Sequence, residues 1–114
     1  MFESLDILRM AQSLATHSAT RQQAIAQNVA NANTPGYRSL DVAPFAEYWR
    51  DGQAAQGAAP RIRQEANPAT VSPDGNTVSI ENEMMRAVSA RQQHEMALGI
   101  YSTTRDLLRA SIGR

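Results

Sequence analysis

The sequence predicts an all-α fold: two long terminal helices packed as a coiled-coil-like pair, joined by an irregular, partly flexible middle segment. Neither Pro nor Gly occurs between Met1 and Thr34. Apolar and small residues recur at alternating spacings of three and four, the signature of a helix seam. The other turn formers gather in the middle of the chain. We therefore divide the chain into residues 1–37, 38–79 and 80–114, with the first and last forming one axial core domain.

The first helix is predicted over residues 4–33. Many of its seam residues are small, which lets two helix backbones approach closely, and Gln22 weakens the seam. The helix should end near Asn31 or Asn33, because Asn tolerates the left-handed conformation that closes many helices. Pro35 and Gly36 then suit the central positions of a type II turn. The predicted seam comprises Leu8, Ala11, Ala15, Ser18, Gln22, Ile25, Val29 and Ala32.

The middle segment shows neither a helical nor a strand period between Asp51 and Pro73. Its only sizeable aliphatic residues there are Ile62 and Val71. We expect this part to be mobile in the free monomer and to order on its partners, although a short β element is compatible with it. Just before it, an aromatic cluster predicts a short docking element, formed by Phe45, Tyr48 and Trp49.

The C-terminal helix is predicted to follow a turn over residues 74–77. Ser79 is a suitable N-cap, and Glu81 and Glu83 in the first turn suit the helix dipole. Two apolar stripes lie on different sides of this helix, which implies more than one neighbour. One stripe contains Met85, Val88, Met96, Ile100 and Leu107. The other contains Met84, Ala87, Leu98, Tyr101, Leu108 and Ile112.

Composition excludes several functional classes. Lys plus Arg and Asp plus Glu both total 11, so no basic excess points to nucleic acid. Cysteine is absent, which removes disulfides and thiol chemistry. His17 and His94 are far apart in sequence and are interpreted as packing residues. We predict no enzyme activity, cofactor, metal site or small-molecule substrate.

Residues 28–37 carry a motif in which every fixed position of the pattern N-x-A-N-x-x-T-x-G-Y is matched. This run resembles the N-terminal signature of the flagellar rod and hook axial proteins. The resemblance implies a structural subunit whose terminal helices pack together along a hollow shaft. The signature and turn residues are Asn28, Ala30, Asn31, Thr34, Pro35, Gly36 and Tyr37.

The residues around the start of the last helix resemble those of the proximal-rod members of that family. The chain is also too short to contain the large inserted domains of other members. The family usually has Asp where this chain has Ser79, and Tyr is expected at His94. The helix-start residues are Asp74, Gly75, Asn76, Thr77, Glu81 and Glu83. Residues expected on assembly faces are Leu8, Leu14, Ile25, Val29, Met85, Val88, Met96, Leu98, Ile100, Tyr101 and Leu108.

The resemblance also implies a location and partners. Such subunits pass through the type III export apparatus without a cleaved signal peptide and build the periplasmic rod of the basal body. Expected partners are copies of the chain itself, other axial rod subunits, and rotor-ring and adaptor proteins at the rod base, with transmission of torque for motility. The alternative function is a small helical adaptor or chaperone-like module of a type III secretion system, which would form a discrete soluble dimer.

Overall fold

Two long helices dominate the computed structural model, which describes residues 2–52, 54, 56–68 and 70–113. The order of elements is α1 (Phe2–Ala30), β1 (Leu40–Val42), α2 (Phe45–Arg50), β2 (Ile62–Gln64) and α3 (Ile80–Ile112). The molecule measures 64 × 25 × 17 Å. This confirms the predicted helix pair with a broken middle and a short β element. Met1 and Arg114, at the limits of the predicted segments, lie outside the described residues.

Helices α1 and α3 pack antiparallel, because Asn28 contacts Glu83 while the earlier Ser18 contacts the later His94. Small residues form the seam: Ser18, Ala90 and Ala97 are all fully buried. Side chains of this size let the two backbones lie close together along the shared face. The helix pair is therefore held by a narrow seam, and no described helix is long and apolar enough to cross a membrane.

The predicted seam of α1 is correct up to Ser18 and wrong at two positions beyond it. Gln22 and Val29 are exposed, whereas Ala24 and Asn28 are fully buried. The reason is that the second half of α1 packs against β1 as well as α3. A second neighbour shifts the buried face around the helix, and the 3-4 spacing alone does not reveal this shift.

The end of α1 also differs in detail from the prediction. No asparagine adopts the left-handed conformation, since every positive φ in the described residues belongs to glycine. Instead, the helix tightens through short-range backbone bonds, such as Ala32 N–H to Val29 O at 3.2 Å. The Asn31 side chain donates to the carbonyl oxygen of Gln27 at 2.8 Å. Asn31 thus closes the helix through its amide group rather than through its backbone.

The short β element of the middle segment is a pair of strands whose positions the sequence pattern did not indicate. β1 pairs antiparallel with β2, with Leu40 opposite Gln64 and Val42 opposite Ile62. All three residues of β2 are exposed, so its sequence has no alternation of buried and exposed positions to detect. The predicted aromatic cluster lies on α2, where Phe45 contacts Tyr48 and Trp49 and Tyr48 is buried. β1 contacts Arg21 and Asn28 in the second half of α1, and α2 contacts His17 near the middle of that helix.

Candidate functional site: a polar clamp at the signature end

The turn that follows α1 and the turn that precedes α3 are bonded to each other. Gly36 N–H donates to the Asp74 carbonyl at 2.9 Å, and Thr77 N–H donates to the Tyr37 carbonyl at 3.0 Å. The Asn76 amide donates both to Asn31 O at 2.9 Å and to Thr34 O at 2.8 Å. The two sequence motifs, separated by the whole middle segment, therefore form a single structural unit.

Asn28 is the central residue of this unit. Its amide nitrogen donates to Leu40 O at 2.7 Å and to Glu83 Oε1 at 2.9 Å. Its amide oxygen accepts from Leu40 N–H at 2.9 Å and from the Tyr37 hydroxyl at 3.1 Å. Asn28 is fully buried, and a buried amide is stable only with such partners. This one side chain joins α1 to β1, to the signature turn and to α3.

Charged side chains extend this arrangement into what we call the polar clamp, which comprises Asn28, Glu83 and the ion pairs around Arg86. Arg86 binds Glu83 at 2.9 Å and Glu65 through a second guanidinium nitrogen. Its Nε lies 3.8 Å from Asp41, which Arg21 also binds at 3.2 Å. These groups come from α1, β1, the end of β2 and α3. The clamp consequently fastens the strand pair to both helices.

The pKa values of the two glutamates in the clamp are shifted in opposite directions. Burial raises the pKa of Glu83, helped by the negative charges of Glu65 and Asp41 and opposed by Asn28 and Arg86. Burial alone would also raise the pKa of Glu65, but hydrogen bonds from Arg86 and Ser39 outweigh it and lower that pKa. Tyr37 has a raised pKa because it is buried near the charge of Glu83.

The signature turn needs glycine at its third position. Gly36 has φ +74°, and Tyr37 N–H donates to Thr34 O at 3.2 Å, which closes the predicted turn around Pro35–Gly36. Gly75 has φ +86°, and a Cβ added there would lie 3.6 Å from the Gly36 Cα. Since 3.6 Å is an ordinary van der Waals contact, both positions require glycine for their positive φ and not for space.

Replacing Gly36 by Val is expected to lower the free energy of unfolding by about 2 kcal/mol, because a β-branched residue resists positive φ. Space is not the cause, since a Cβ at Gly36 meets nothing within 4 Å. Urea unfolding followed by circular dichroism measures the loss. Gly36→Asn is the matched control, because Asn tolerates this conformation and should lose much less. Equal losses in both variants would contradict the role given to φ.

The structure places the sequence-predicted site residues in three environments. Most of the residues expected on assembly faces are exposed on the helices, but Ile25 is buried within the chain at 7 % exposure. Leu8, Leu14 and Leu108 are half-buried. The buried motif residues are Asn28, Asn76, Thr77 and Glu83, and the half-buried ones are Asn31, Tyr37 and Gly75. The exposed motif residues are Ala30, Thr34, Pro35, Gly36, Asp74 and Glu81.

The two histidines lie in separate packing sites. His17 Nε2 donates to the Ala43 carbonyl at 2.7 Å, and its ring meets Phe45 edge-on. His94 Nδ1 lies 3.1 Å from the Ser18 hydroxyl, across the helix seam. Within the described residues, no group of three His, Cys, Asp or Glu is placed to hold a metal ion.

Sequence reasoning missed most of the charged members of the clamp. It interpreted Glu83 as a partner of the helix dipole, whereas the side chain is 1 % exposed and bonded to Asn28. It did not single out Arg86, Glu65, Asp41 or Arg21. The one available signal was the position of Arg86, three residues after Glu83, which suits an ion pair on one helix face. Contacts from the middle segment leave no such signal.

Comparison with known proteins gives a consistent result. The profile described as "Flagella basal body rod protein" matches residues 8–38. The chain is 29% identical over 124 aligned positions to the flagellar basal body rod protein FlgB of Escherichia coli (strain K12), covering 90% of each chain. FlgB of Shigella flexneri matches equally. FlgB of Agrobacterium fabrum is 20% identical over 129 positions, covering 98% of this chain and 96% of that protein.

The helix pair buries small residues such as Ala90 and Ala97 in its seam and leaves several large apolar side chains exposed. The signature segment, residues 28–37, lies within the part of the chain that the profile matches. The chain is thus similar to flagellar basal body rod proteins, over residues 8–38 for the profile and over most of its length for the FlgB relatives. The FlgB relatives are structural proteins of the basal body rod and not enzymes.

Proposed function

We propose that this chain builds the proximal part of the rod, connects the rotor ring to the distal rod, and transmits torque. The observation that carries the proposal is the distribution of apolar side chains. Met84, Met85 and Leu107 are each more than 60 % exposed on α3, while its buried seam contains alanines. Exposed apolar residues in such number favour further packing partners. We take those partners to be copies of the chain and other rod subunits.

Two different sides of α3 bear these side chains. At 100° per residue, Met85, Met96, Ile100 and Leu107 fall on one side of the helix, and Met84 falls on another. Contacts between unlike surfaces do not close into a dimer and produce open helical assemblies, as a rod requires. Rotor-ring and adaptor proteins at the rod base are the partners proposed for the end of that assembly.

Export and final location form part of the same proposal. A subunit that builds the periplasmic rod has to cross the inner membrane, and we propose the type III export apparatus as its route, with no cleaved signal peptide. A fold held by a narrow seam and a polar clamp, with few large buried apolar side chains, supports this because it buries little apolar surface and unfolds readily.

Replacing Leu98 by Asp tests the assembly faces. Leu98 is 51 % exposed, so the free energy of unfolding of the isolated chain should change little, by about 0.5 kcal/mol or less, as urea unfolding measures it. Swimming in soft agar should be lost, because a subunit contact would bury an unpaired charge. Gln92→Asp, another exposed site on α3, is the control for added charge. Normal swimming with Asp at position 98 would show that this face does not contact another subunit.

The oligomeric state of the protein and its location in the cell distinguish the alternative adaptor function from the rod function. A rod subunit should be found in purified basal bodies by mass spectrometry and at the inner-membrane end of the rod by cryo-electron microscopy. An adaptor should be absent from basal bodies and run as a discrete dimer in sedimentation. The second pattern would replace the rod proposal with the adaptor.

A further inference from the structure

The polar clamp holds an unequal number of opposite charges. Three carboxylates, from Asp41, Glu65 and Glu83, face two guanidinium groups, from Arg21 and Arg86. The side chains are 25 %, 18 % and 1 % exposed for the acids and 22 % and 19 % for the arginines. With every group ionised, one negative charge has no counterpart, and such an excess is costly away from water.

Glu83 is the carboxylate least suited to the ionised form. Its Oε1 atom accepts both available bonds, from Asn28 and from Arg86 at 2.9 Å each. Its Oε2 atom is buried and has no hydrogen-bond partner among the described residues. A buried carboxylate is stable when donors reach both oxygens. The other two acids are partly open to solvent and are bonded to arginine.

We propose that Glu83 is a proton-binding residue that controls the clamp: protonation balances the cluster at two charges against two and locks it, whereas ionisation loosens it. The groups that face Glu83 come from every neighbouring element. They are Asn28 of α1, Tyr37 of the turn, Asp41 of β1, Glu65 at the end of β2, and Arg86 of α3 itself. The proposal concerns regulation of the fold and is independent of the rod function proposed above.

The expected pH dependence follows from the direction of each shift. The raised pKa of Glu83 means that the folded state holds its proton more tightly than the unfolded chain. This stabilisation is complete below the ordinary value of 4.5 and is lost as pH rises through the raised value. Glu65, with a lowered pKa, contributes stability above 4.5 that is lost as pH falls. The two residues therefore act on opposite sides of pH 4.5.

Urea unfolding of the full chain from pH 3 to pH 9, followed by circular dichroism, tests the proposal. For the wild type we expect the unfolding equilibrium constant to rise with pH above 4.5, by up to about tenfold per unit. Glu83→Gln mimics the protonated acid, so it should abolish that rise and be more stable than the wild type at pH 8. Glu81→Gln, an exposed neighbour, should behave as the wild type. Glu65→Gln should alter only the pH dependence of stability below about pH 4.5.

The proposal is overturned if the unfolding equilibrium constant of Glu83→Gln rises with pH as steeply as that of the wild type. It is also overturned if the stability of the wild type does not change above pH 4.5. If the variant fails to fold, the wild type decides by carbon-13 NMR of the Glu83 carboxyl. Titration of that signal above 4.5 supports the proposal, and titration at or below 4.5 overturns it. Neither result depends on motility, so failure here leaves the rod proposal unaffected.

Discussion

Replacing Asn28 by Ala is expected to lower the free energy of unfolding by about 4 kcal/mol, one of the two largest single effects we predict. The change removes four hydrogen bonds and leaves the Leu40 peptide and the Tyr37 hydroxyl without partners. Each buried polar group left unpaired costs about 1–3 kcal/mol. Small domains have total stabilities of roughly 5–15 kcal/mol, so much of the folded population should be lost.

Gln27→Ala is the matched control, because Gln27 directly precedes Asn28 in α1 and is exposed. It should change the urea midpoint little, whereas Asn28→Ala should shift it strongly and also reduce swimming. Hydrogen exchange gives a second readout, since the Leu40 amide should lose protection only in the Asn28 variant. Similar midpoints for the two variants would show that the clamp does not hold the fold together.

Periodicity predicted the helices well because their signal is local. The start of α3 at Ile80 and its Ser79 cap follow from residues within one turn of each other, and Asn82 N–H does donate to the Ser79 hydroxyl at 3.3 Å. The Gly36 turn was equally predictable, since Pro followed by Gly restricts the backbone directly. Local chemistry thus determined the helix bounds to within a few residues.

The clamp was beyond prediction because its partners are distant in sequence. Asn28 was recognised as a motif residue, but nothing in the sequence indicates that its partners are Leu40 and Glu83. The ion pair of Arg86 with Glu65 depends on β2, whose exposed residues have no pattern. A hydrophobicity pattern also fails where a polar residue is buried in a seam. It selected Val29, which is exposed, instead of its buried neighbour Asn28.

Replacing Ile25 by Asp is expected to unfold the isolated chain, with a loss of about 4 kcal/mol or more. From sequence, Ile25 was assigned to an assembly face. The structure places it inside the monomer at 7 % exposure, so the charge would be buried among the chain's own side chains. The swimming defect should therefore follow from lost folding and not from a broken contact between subunits.

Ala26→Asp separates the two explanations, because Ala26 is the next residue along α1 and is exposed. It adds the same charge with little expected change in the urea midpoint, whereas Ile25→Asp should give a far-UV spectrum with most helix lost. Leu98→Asp completes the set, since it should keep the helix content of the wild type and still prevent swimming. A folded, non-motile Ile25→Asp variant would return this residue to the assembly face and count against the buried position described here.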